Sequence, residues 1–285
     1  MFNKIIMFGV VICLCAGSVS FGQSLDGKPY DPAVDPNIDM YMANWKESMP
    51  QHSHGSLIER DILTAGDPMN PPRKGAVLKY VNGFVYASLS ENSSTVPTTL
   101  SGEQEVFYIL SGNGTITAGN KSSDIHSGVA VLVPADLEFT MKNTGGESLT
   151  MYIIKDPVPD GFVPLKSMAV VDENTAPYGT SNGHWSNIRK TLFGKNTGLA
   201  TLHSVLSIWF DSMTINHPHS HVEGCEEVWT AINGTSIAFI GKQIRRQPPG
   251  TAYLIPPDGN TPHSNINTTD KPVHLLYFSV RKDIE

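Results

Sequence analysis

The chain has 285 residues, of which 40% are hydrophobic and 16% are charged, and its formal net charge is −7. This length suffices for two ordinary domains or one large one, and a negative chain without a basic run argues against nucleic acid as a partner. Glycine and proline are plentiful (25 and 20 residues). Because no long stretch shows helical periodicity, this composition favours an all-β protein.

The first 22 residues have the anatomy of a secretory signal peptide. Lys4 supplies the positive start, residues 5–16 form a short apolar run, and a small-x-small site ends at Gly22. The pattern predicts cleavage after Gly22, a periplasmic or secreted protein and no stable membrane span after processing. Lipoprotein processing at a cysteine of this run, and then an uncleaved anchor, are the lower-ranked alternatives. Cleavage would leave Cys225 as the lone cysteine, so we expect no internal disulfide.

Residues 23–50 are rich in proline and aspartate and show little periodicity. They are predicted to form an N-terminal arm that either lies over the body of the protein or is disordered. His52 and His54 follow the arm at a spacing of two. Because no strand pattern or adjacent acid accompanies them, they are predicted to be an exposed pair, which could line a pocket only if the arm folds over the second half.

A series of short β-rich runs begins near residue 75 and then occurs a second time. The segment 103–119 aligns with 225–241, and 127–136 aligns with 249–258, in both cases at a separation of 122 residues. Such self-similarity indicates an internal duplication of a domain-sized unit. The predicted organisation is a first domain at 51–160, a linker at 161–180 and a second domain at 181–285.

A group of histidines and one glutamate stands out in the second copy. His217, His219 and His221 alternate along the chain, and alternate residues of a strand point to the same face. Glu227 opens the next strand, and His263 follows a later strand and turn. Because several buried histidines without partners would be costly, imidazoles converging with a carboxylate favour a divalent first-row metal, with manganese, iron, nickel, copper and zinc all compatible.

The spacing of these residues resembles the two sequence motifs of the cupin superfamily. The matching positions are His219-x-His221 and Glu227-x6-Gly234 for the first motif, and Gly250-x5-Pro256, Gly259 and His263-x3-Asn267 for the second. The resemblance implies two tandem cupin-type jelly-roll barrels that arose by internal duplication, so the chain resembles a bicupin. It also implies that His219, His221, Glu227 and His263 bind one divalent transition metal in the second barrel, and it allows a homodimer.

The second copy departs from the family pattern in four ways that leave roles open. Five residues separate His221 from Glu227, one more than usual, and Glu226 would restore the spacing. Glu227 is preferred as the ligand because the repeat aligns it with Glu105, which leaves Glu226 as a candidate acid or base. The gap from the motif-two glycine to its histidine is also one residue longer than usual, and the upstream glycine of the first motif is absent. His217 is additional, and it could support a ligand, contact substrate, replace His221 or act in catalysis.

The walls of the predicted pocket include three further residues of the second copy. Trp229 shares a strand face with Glu227, Tyr253 is a predicted barrel aromatic, and Asn267 closes the second motif. These three are the candidate substrate-binding residues.

The first copy lacks the histidines of the motifs. Pro97 and Thr99 occupy the places of the two motif-one histidines, and Phe139 or Met141 occupies the place of the motif-two histidine. Only Glu105 remains. We therefore expect no metal at the equivalent position of the first barrel, whose role would be support, dimerisation or a substrate groove.

Three functions are compatible with such a site, since the fold alone does not decide function. The favoured one is an oxidoreductase of the dioxygenase type that acts on a small oxygen-rich molecule. The second is a redox-neutral hydrolase, lyase or isomerase acting on a sugar acid or ureide, with His217 or Glu226 moving the proton. The third is a non-catalytic module that binds a metal or a carbohydrate.

Overall fold

The fold is known from a computed structural model that describes residues 35–179 and 186–282. The predicted signal peptide and the beginning of the arm lie outside the described residues. Within them, one helix, α1, spans Ile38–Tyr41, a 3-10 turn spans Trp45–Glu47, and the remaining elements are short strands. The strands are β1 (Met42–Asn44), β2 (Gln51–Ser53), β3 (Leu57–Ala65), β4 (Ala76–Leu78), β5 (Gly83–Leu89), β6 (Glu103–Ser111), β7 (Asn113–Ala118), β8 (Lys121–His126), β9 (Val129–Val133), β10 (Phe139–Asn143), β11 (Leu149–Pro157), β12 (Ala169–Asp172), β13 (Tyr178–Gly179), β14 (Asn187–Phe193), β15 (Ser204–Phe210), β16 (Thr214–Ile215), β17 (Cys225–Asn233), β18 (Ser236–Ile240), β19 (Gln243–Gln247), β20 (Thr251–Ile255), β21 (His263–Asn267) and β22 (Val273–Arg281).

The strands form two sandwiches with matching topology, which confirms the predicted all-β fold of two tandem jelly-roll barrels. In the first barrel a large sheet with the order β12-β9-β6-β11-β5-β3-β2 faces a small sheet with the order β10-β7-β8. In the second barrel the corresponding sheets have the orders β1-β20-β17-β22-β15-β14-β13 and β16-β21-β18-β19. Position by position, β6 corresponds to β17, β9 to β20 and β11 to β22.

The two large sheets pack against each other, so their central strands are buried on both faces. Along β17, Glu227 and Trp229 point into the second barrel while Val228 points towards the first barrel, as the alternation of a strand requires. The rings of Phe84 and Phe278 meet across this boundary at 5.2 Å between centroids. One apolar cluster therefore continues from the second barrel into the contact between the sheets, and a separate cluster fills the first barrel.

Each barrel borrows an edge strand from a segment predicted to lie outside it. β1, from the N-terminal arm, pairs antiparallel with β20 of the second barrel, and Met42 faces Tyr253. β12, from the predicted linker, pairs antiparallel with β9 of the first barrel. The described part of the arm thus lies over the body, one of the two predicted states, and both segments cover backbone at sheet edges that would otherwise be open.

No helix among the described residues is long and apolar enough to cross a membrane.

Candidate metal centre

Three histidines come together inside the second barrel. His219 and His263 form an antiparallel bridge in which each backbone N–H donates to the other residue's carbonyl, at 3.2 and 2.9 Å. His221 lies two residues further along the same loop. The ring centroids of the three imidazoles are 4.4 to 4.9 Å apart, and one nitrogen of each lies within 4.8 Å of the others.

A tight turn sets the position of His263. Gly259 in this turn has a φ of +75°, and a Cβ there would lie 2.7 Å from the backbone nitrogen of Glu223. Only glycine combines this left-handed conformation with such close approach. The turn therefore packs directly on the loop that carries the other two histidines, which brings His263 alongside them.

Glu227 completes the group. Its Oε1 lies 2.9 Å from Nε2 of His221, and its Oε2 lies 3.6 Å from Nε2 of His263. Tyr277 donates a hydrogen bond of 2.6 Å to Oε1, and Nε1 of Trp229 donates one of 3.3 Å to Oε2. Burial raises the pKa of the Glu227 carboxyl, but His221 and His263 outweigh that effect and hold the pKa well below its usual value. The carboxylate is therefore ionised and held in one orientation.

The protonation of two of the histidines, His219 and His263, suits a ligand set. Nδ1 of His219 lies 2.8 Å from the carbonyl oxygen of His217. Because a carbonyl can only accept, Nδ1 carries the proton, and the lone pair of a neutral ring is on Nε2. Burial lowers the pKa of His263 to about 4, so this ring is neutral at physiological pH. Neutral imidazoles and an ionised carboxylate are the states that bind divalent metals.

Glu226 lies on the opposite face of β17 from Glu227, which corrects its predicted role beside the histidines. Its carboxylate accepts a hydrogen bond of 2.8 Å from the backbone N–H of Lys79, in the first barrel. Burial raises its pKa to about 7. Glu226 therefore belongs to the contact between the barrels, and of the two glutamates Glu227 is the one that meets the imidazoles.

His217 and Asn267 are also placed away from their predicted roles. The side chain of His217 is exposed, and its backbone carbonyl is what contacts His219. The amide nitrogen of Asn267 donates to three backbone carbonyls at 2.8 to 3.3 Å, two at the end of β15 (Phe210 and Asp211) and one in the adjoining turn (Lys271). Asn143 makes the same kind of contacts in the first barrel, which lacks the motif histidines. Asn267 therefore stabilises the local backbone, and this structural role replaces the predicted role in substrate binding.

Two aromatic residues, Trp229 and Tyr277, contact Glu227, and one of them was not predicted from the sequence. Trp229 contacts Glu227, whereas the hydroxyl of the buried Tyr253 donates to Asn265 at 2.9 Å. Tyr277, which makes the shortest contact to Glu227, was not predicted, because it lies 50 residues further along the chain. Cys225 shares the interior face, and its Sγ lies within 4.8 Å of the ligand atoms of His221 and Glu227.

The first barrel has residues at the positions equivalent to His219 and His263 of the second. Thr98 and Phe139 form the same antiparallel bridge as His219 and His263. Phe139, and not Met141, is thus the residue equivalent to His263. The residue equivalent to His219 is Thr98, which lies between the predicted Pro97 and Thr99.

His54 contradicts the prediction of an exposed pair. Although His52 is exposed, the side chain of His54 is only 7% exposed, and its Nε2 lies 3.3 Å from Oε2 of Glu105 and 3.9 Å from Oε1 of Glu59. This placement was not predicted because it depends on the pairing of β2 with β3, which turns the chain at His54. This pairing was not visible as a strand pattern.

Comparison with known proteins agrees with this architecture. The sequence pattern of the cupin domain matches residues 89–155, within the first barrel. No curated protein sequence matches the chain. Among solved structures, protein Ylba from E. coli is 13% identical with a TM-score of 0.66, covering 89% of this chain and 94% of that one. A variant of Bacillus subtilis oxalate decarboxylase is 11% identical with a TM-score of 0.63, covering 86% and 80%. Vicilin from hazelnut (Corylus avellana) is 11% identical with a TM-score of 0.64, covering 85% and 86%.

Proposed function

Because residues 89–155 match the cupin domain and both halves of the chain have the jelly-roll fold, we propose that the chain is a metal-dependent enzyme of the cupin superfamily whose active site is in the second barrel. The metal is one divalent transition ion held by His219, His221, His263 and Glu227. The reaction is an oxidation of the dioxygenase type on a small, oxygen-rich acid. The observation that carries this proposal is the convergence of three imidazoles and one ionised carboxylate in a buried interior.

The four residues fit a metal ion. His263 is 1% exposed, and neither of its ring nitrogens has a hydrogen-bond partner in residues 35–179 and 186–282. A buried imidazole in that state is costly, and coordination of an ion is the usual resolution. A set of nitrogen and oxygen donors suits manganese, iron, nickel, copper or zinc.

The bound ion would supply a Lewis acid and, where it is redox-active, a centre for electron transfer. The protein's own contribution is orientation and exclusion of water. Tyr277 and Trp229 each donate to one oxygen of Glu227, which prevents the carboxylate from rotating. The carbonyl of His217 fixes the ring of His219. Such supporting contacts orient the ligands and tune a metal site. With His219, His221, His263 and Glu227 as its protein ligands, the ion would still have room to bind a small acid.

The placement of Glu226 and His217 favours oxidation over a redox-neutral reaction. A hydrolase, lyase or isomerase needs a positioned acid or base besides the ligands. Glu226 faces the other barrel, and the side chain of His217 is exposed.

Two further features guide the choice of substrate and location. The structural similarity to oxalate decarboxylase makes oxalate a reasonable first substrate, followed by other small hydroxy and keto acids. The sequence of residues 1–22 supports action outside the cytoplasm.

The test is metal content and oxygen consumption of the purified chain. We expect about one transition metal in the second barrel, its loss in His219→Ala and its retention in His217→Ala, which keeps the supporting carbonyl. We also expect oxygen uptake with one of the acids. Turnover that is independent of oxygen would replace this proposal by the redox-neutral reaction. A bound metal without turnover of any acid would favour a binding module.

A further inference from the structure

We propose that His54, Glu59 and Glu105 form a second divalent-cation site, inside the first barrel. This site is independent of the proposed function of the second barrel. It uses Glu105, the counterpart of Glu227, but its imidazole comes from a different part of the chain. The expectation that the first copy binds no metal considered only the positions aligned by the repeat, and His54 is not one of them.

The geometry of the three side chains is that of ligands around one ion. Nε2 of His54 is 3.3 Å from Oε2 of Glu105 and 3.9 Å from Oε1 of Glu59. Two donor atoms that are each about 2.1 Å from a tetrahedral ion lie about 3.4 Å apart. The observed separations are close to this value and need only small side-chain rotations.

A buried oxygen without a hydrogen bond points into the group. The side chain of Glu105 is 1% exposed, and its Oε2 accepts no hydrogen bond from any residue of the described ranges. Its contact with Nε2 of His54, at 3.3 Å, is that of an ion pair. A buried carboxylate oxygen in this state is costly, and a cation between it and the imidazole would satisfy both.

The remaining contacts leave the group with a negative charge to be balanced. Glu59 accepts from Oγ of Ser53 at 2.6 Å through Oε1 and from Nζ of Lys155 at 2.7 Å through Oε2. One ammonium thus faces two carboxylates. Each carboxylate oxygen has two lone pairs, so Oε1 of Glu59 can accept from Ser53 and still bind an ion. The ring of Phe139 packs edge-on against His54 at 5.3 Å and restricts its rotation.

A proton on His54 is the competing way to balance the charge. Burial lowers the pKa of His54, but the two glutamates outweigh this and raise it. An imidazolium paired with Glu105 would therefore replace the metal. The two states differ in a direct observable, because only one of them binds an added ion.

The experiment is to count Co²⁺ ions bound by the full chain after removal of metals with a chelator. We expect two equivalents for the wild type and one for both His54→Ala and Glu105→Gln. The matched control His52→Ala removes the exposed neighbouring histidine and should keep two. His263→Ala should also bind one ion, the one in the first barrel, because it loses the ion of the second barrel. The double variant His54→Ala/His263→Ala should therefore bind none.

The outcomes separate the two barrels. If His54→Ala and Glu105→Gln bind as many ions as the wild type, the site in the first barrel does not exist and the contact is an ion pair. If these variants lose an ion while His263→Ala does not, the site in the first barrel stands and the one in the second barrel fails. Glu105→Gln preserves side-chain size, so it decides the question if His54→Ala does not fold, as judged by circular dichroism.

Discussion

Glu226 and Glu227 are neighbours in the chain, yet their carboxylates lie on opposite faces of one strand and in chemically different surroundings. Glu227 accepts from Tyr277 and lies against His221. Glu226 accepts from a backbone N–H of the first barrel. The pKa of Glu227 is held well below its usual value, whereas burial raises the pKa of Glu226 to about 7. One strand thus carries an ionised group for the site and a group in the barrel contact that is neutral under mildly acidic conditions.

The first prediction compares substitutions of these two residues. Glu227→Gln should lower the metal affinity of the second barrel by more than about 100-fold, because it removes a charged ligand and not merely a supporting contact. Glu226→Gln should retain the metal. Elemental analysis after dialysis against a weak chelator measures both. Equal metal loss in the two variants would contradict the assignment of Glu227 as the ligand.

The second prediction concerns the pH dependence that Glu226 gives to stability. Its pKa rises from 4.5 when exposed to about 7 in the folded protein, so folding favours the protonated form. The associated stability, about 3 kcal/mol, is present below pH 4.5 and is lost as the pH rises through 7. Glu226→Gln mimics the protonated state. It should therefore be more stable than the wild type at pH 8 but not at pH 5, as measured by urea unfolding. The same difference at both pH values would contradict the buried carboxyl.

The distinction between the two glutamates marks a limit of what the sequence could predict. The alternation along 225–233 shows that adjacent residues face opposite sides, and the repeat identified Glu227 as the equivalent of Glu105. However, β17 is buried on both faces, because the sheet of the first barrel covers the outside of the second. Hydrophobicity therefore gave no sign of which face was the barrel interior, and the geometry was needed to decide it.

The residues missed by sequence analysis share one physical cause. The motif histidines could be found because they are close in the chain and have a fixed spacing. Tyr277 meets Glu227 through the pairing of β17 with β22, and His54 meets Glu105 through the fold of β2. Both contacts join residues about 50 positions apart in the chain, and no short-range pattern encodes the strand registers that bring them together. The duplication predicted the architecture well because it repeats whole strands.

The third prediction concerns Glu173, which ties β12 and its following turn to the second barrel. Its carboxylate accepts from Tyr108, from Nε1 of Trp209 at 3.1 Å, and lies 3.1 Å from Nε2 of His274. Burial raises its pKa, but these partners, led by His274, outweigh that effect and bring it to about 2. Replacing Glu173 with Gln leaves donors of both barrels facing a neutral amide group. The substitution should therefore lower the free energy of unfolding by roughly 3 kcal/mol at pH 7.

The pH profile of this effect distinguishes it from a loss of packing. Because the folded pKa is depressed, the stabilisation by Glu173 is present above about pH 4.5 and is lost as the pH falls towards 2. The difference between wild type and Glu173→Gln should therefore shrink between pH 5 and pH 3 in urea unfolding. The exposed Glu138→Gln is the matched control and should change stability little at either pH. A difference that does not vary with pH would show that the charge of Glu173 is not responsible.

The fourth prediction tests whether the hydrogen bond from Tyr277 supports the site. Burial raises the pKa of Tyr277 well above its usual value, so its hydroxyl stays protonated and donates to Glu227. Tyr277→Phe removes only that oxygen and frees the carboxylate to rotate. Loss of such a supporting contact typically weakens metal binding by about 10- to 100-fold. Tyr253→Phe is the matched control, because its hydroxyl donates to Asn265 and not to Glu227. Titration of the metal-free protein with Co²⁺ gives both affinities. If the two phenylalanine variants bind the ion of the second barrel equally well, the orientation of Glu227 does not depend on Tyr277, and the interior of the barrel, not one hydroxyl, holds the carboxylate in place.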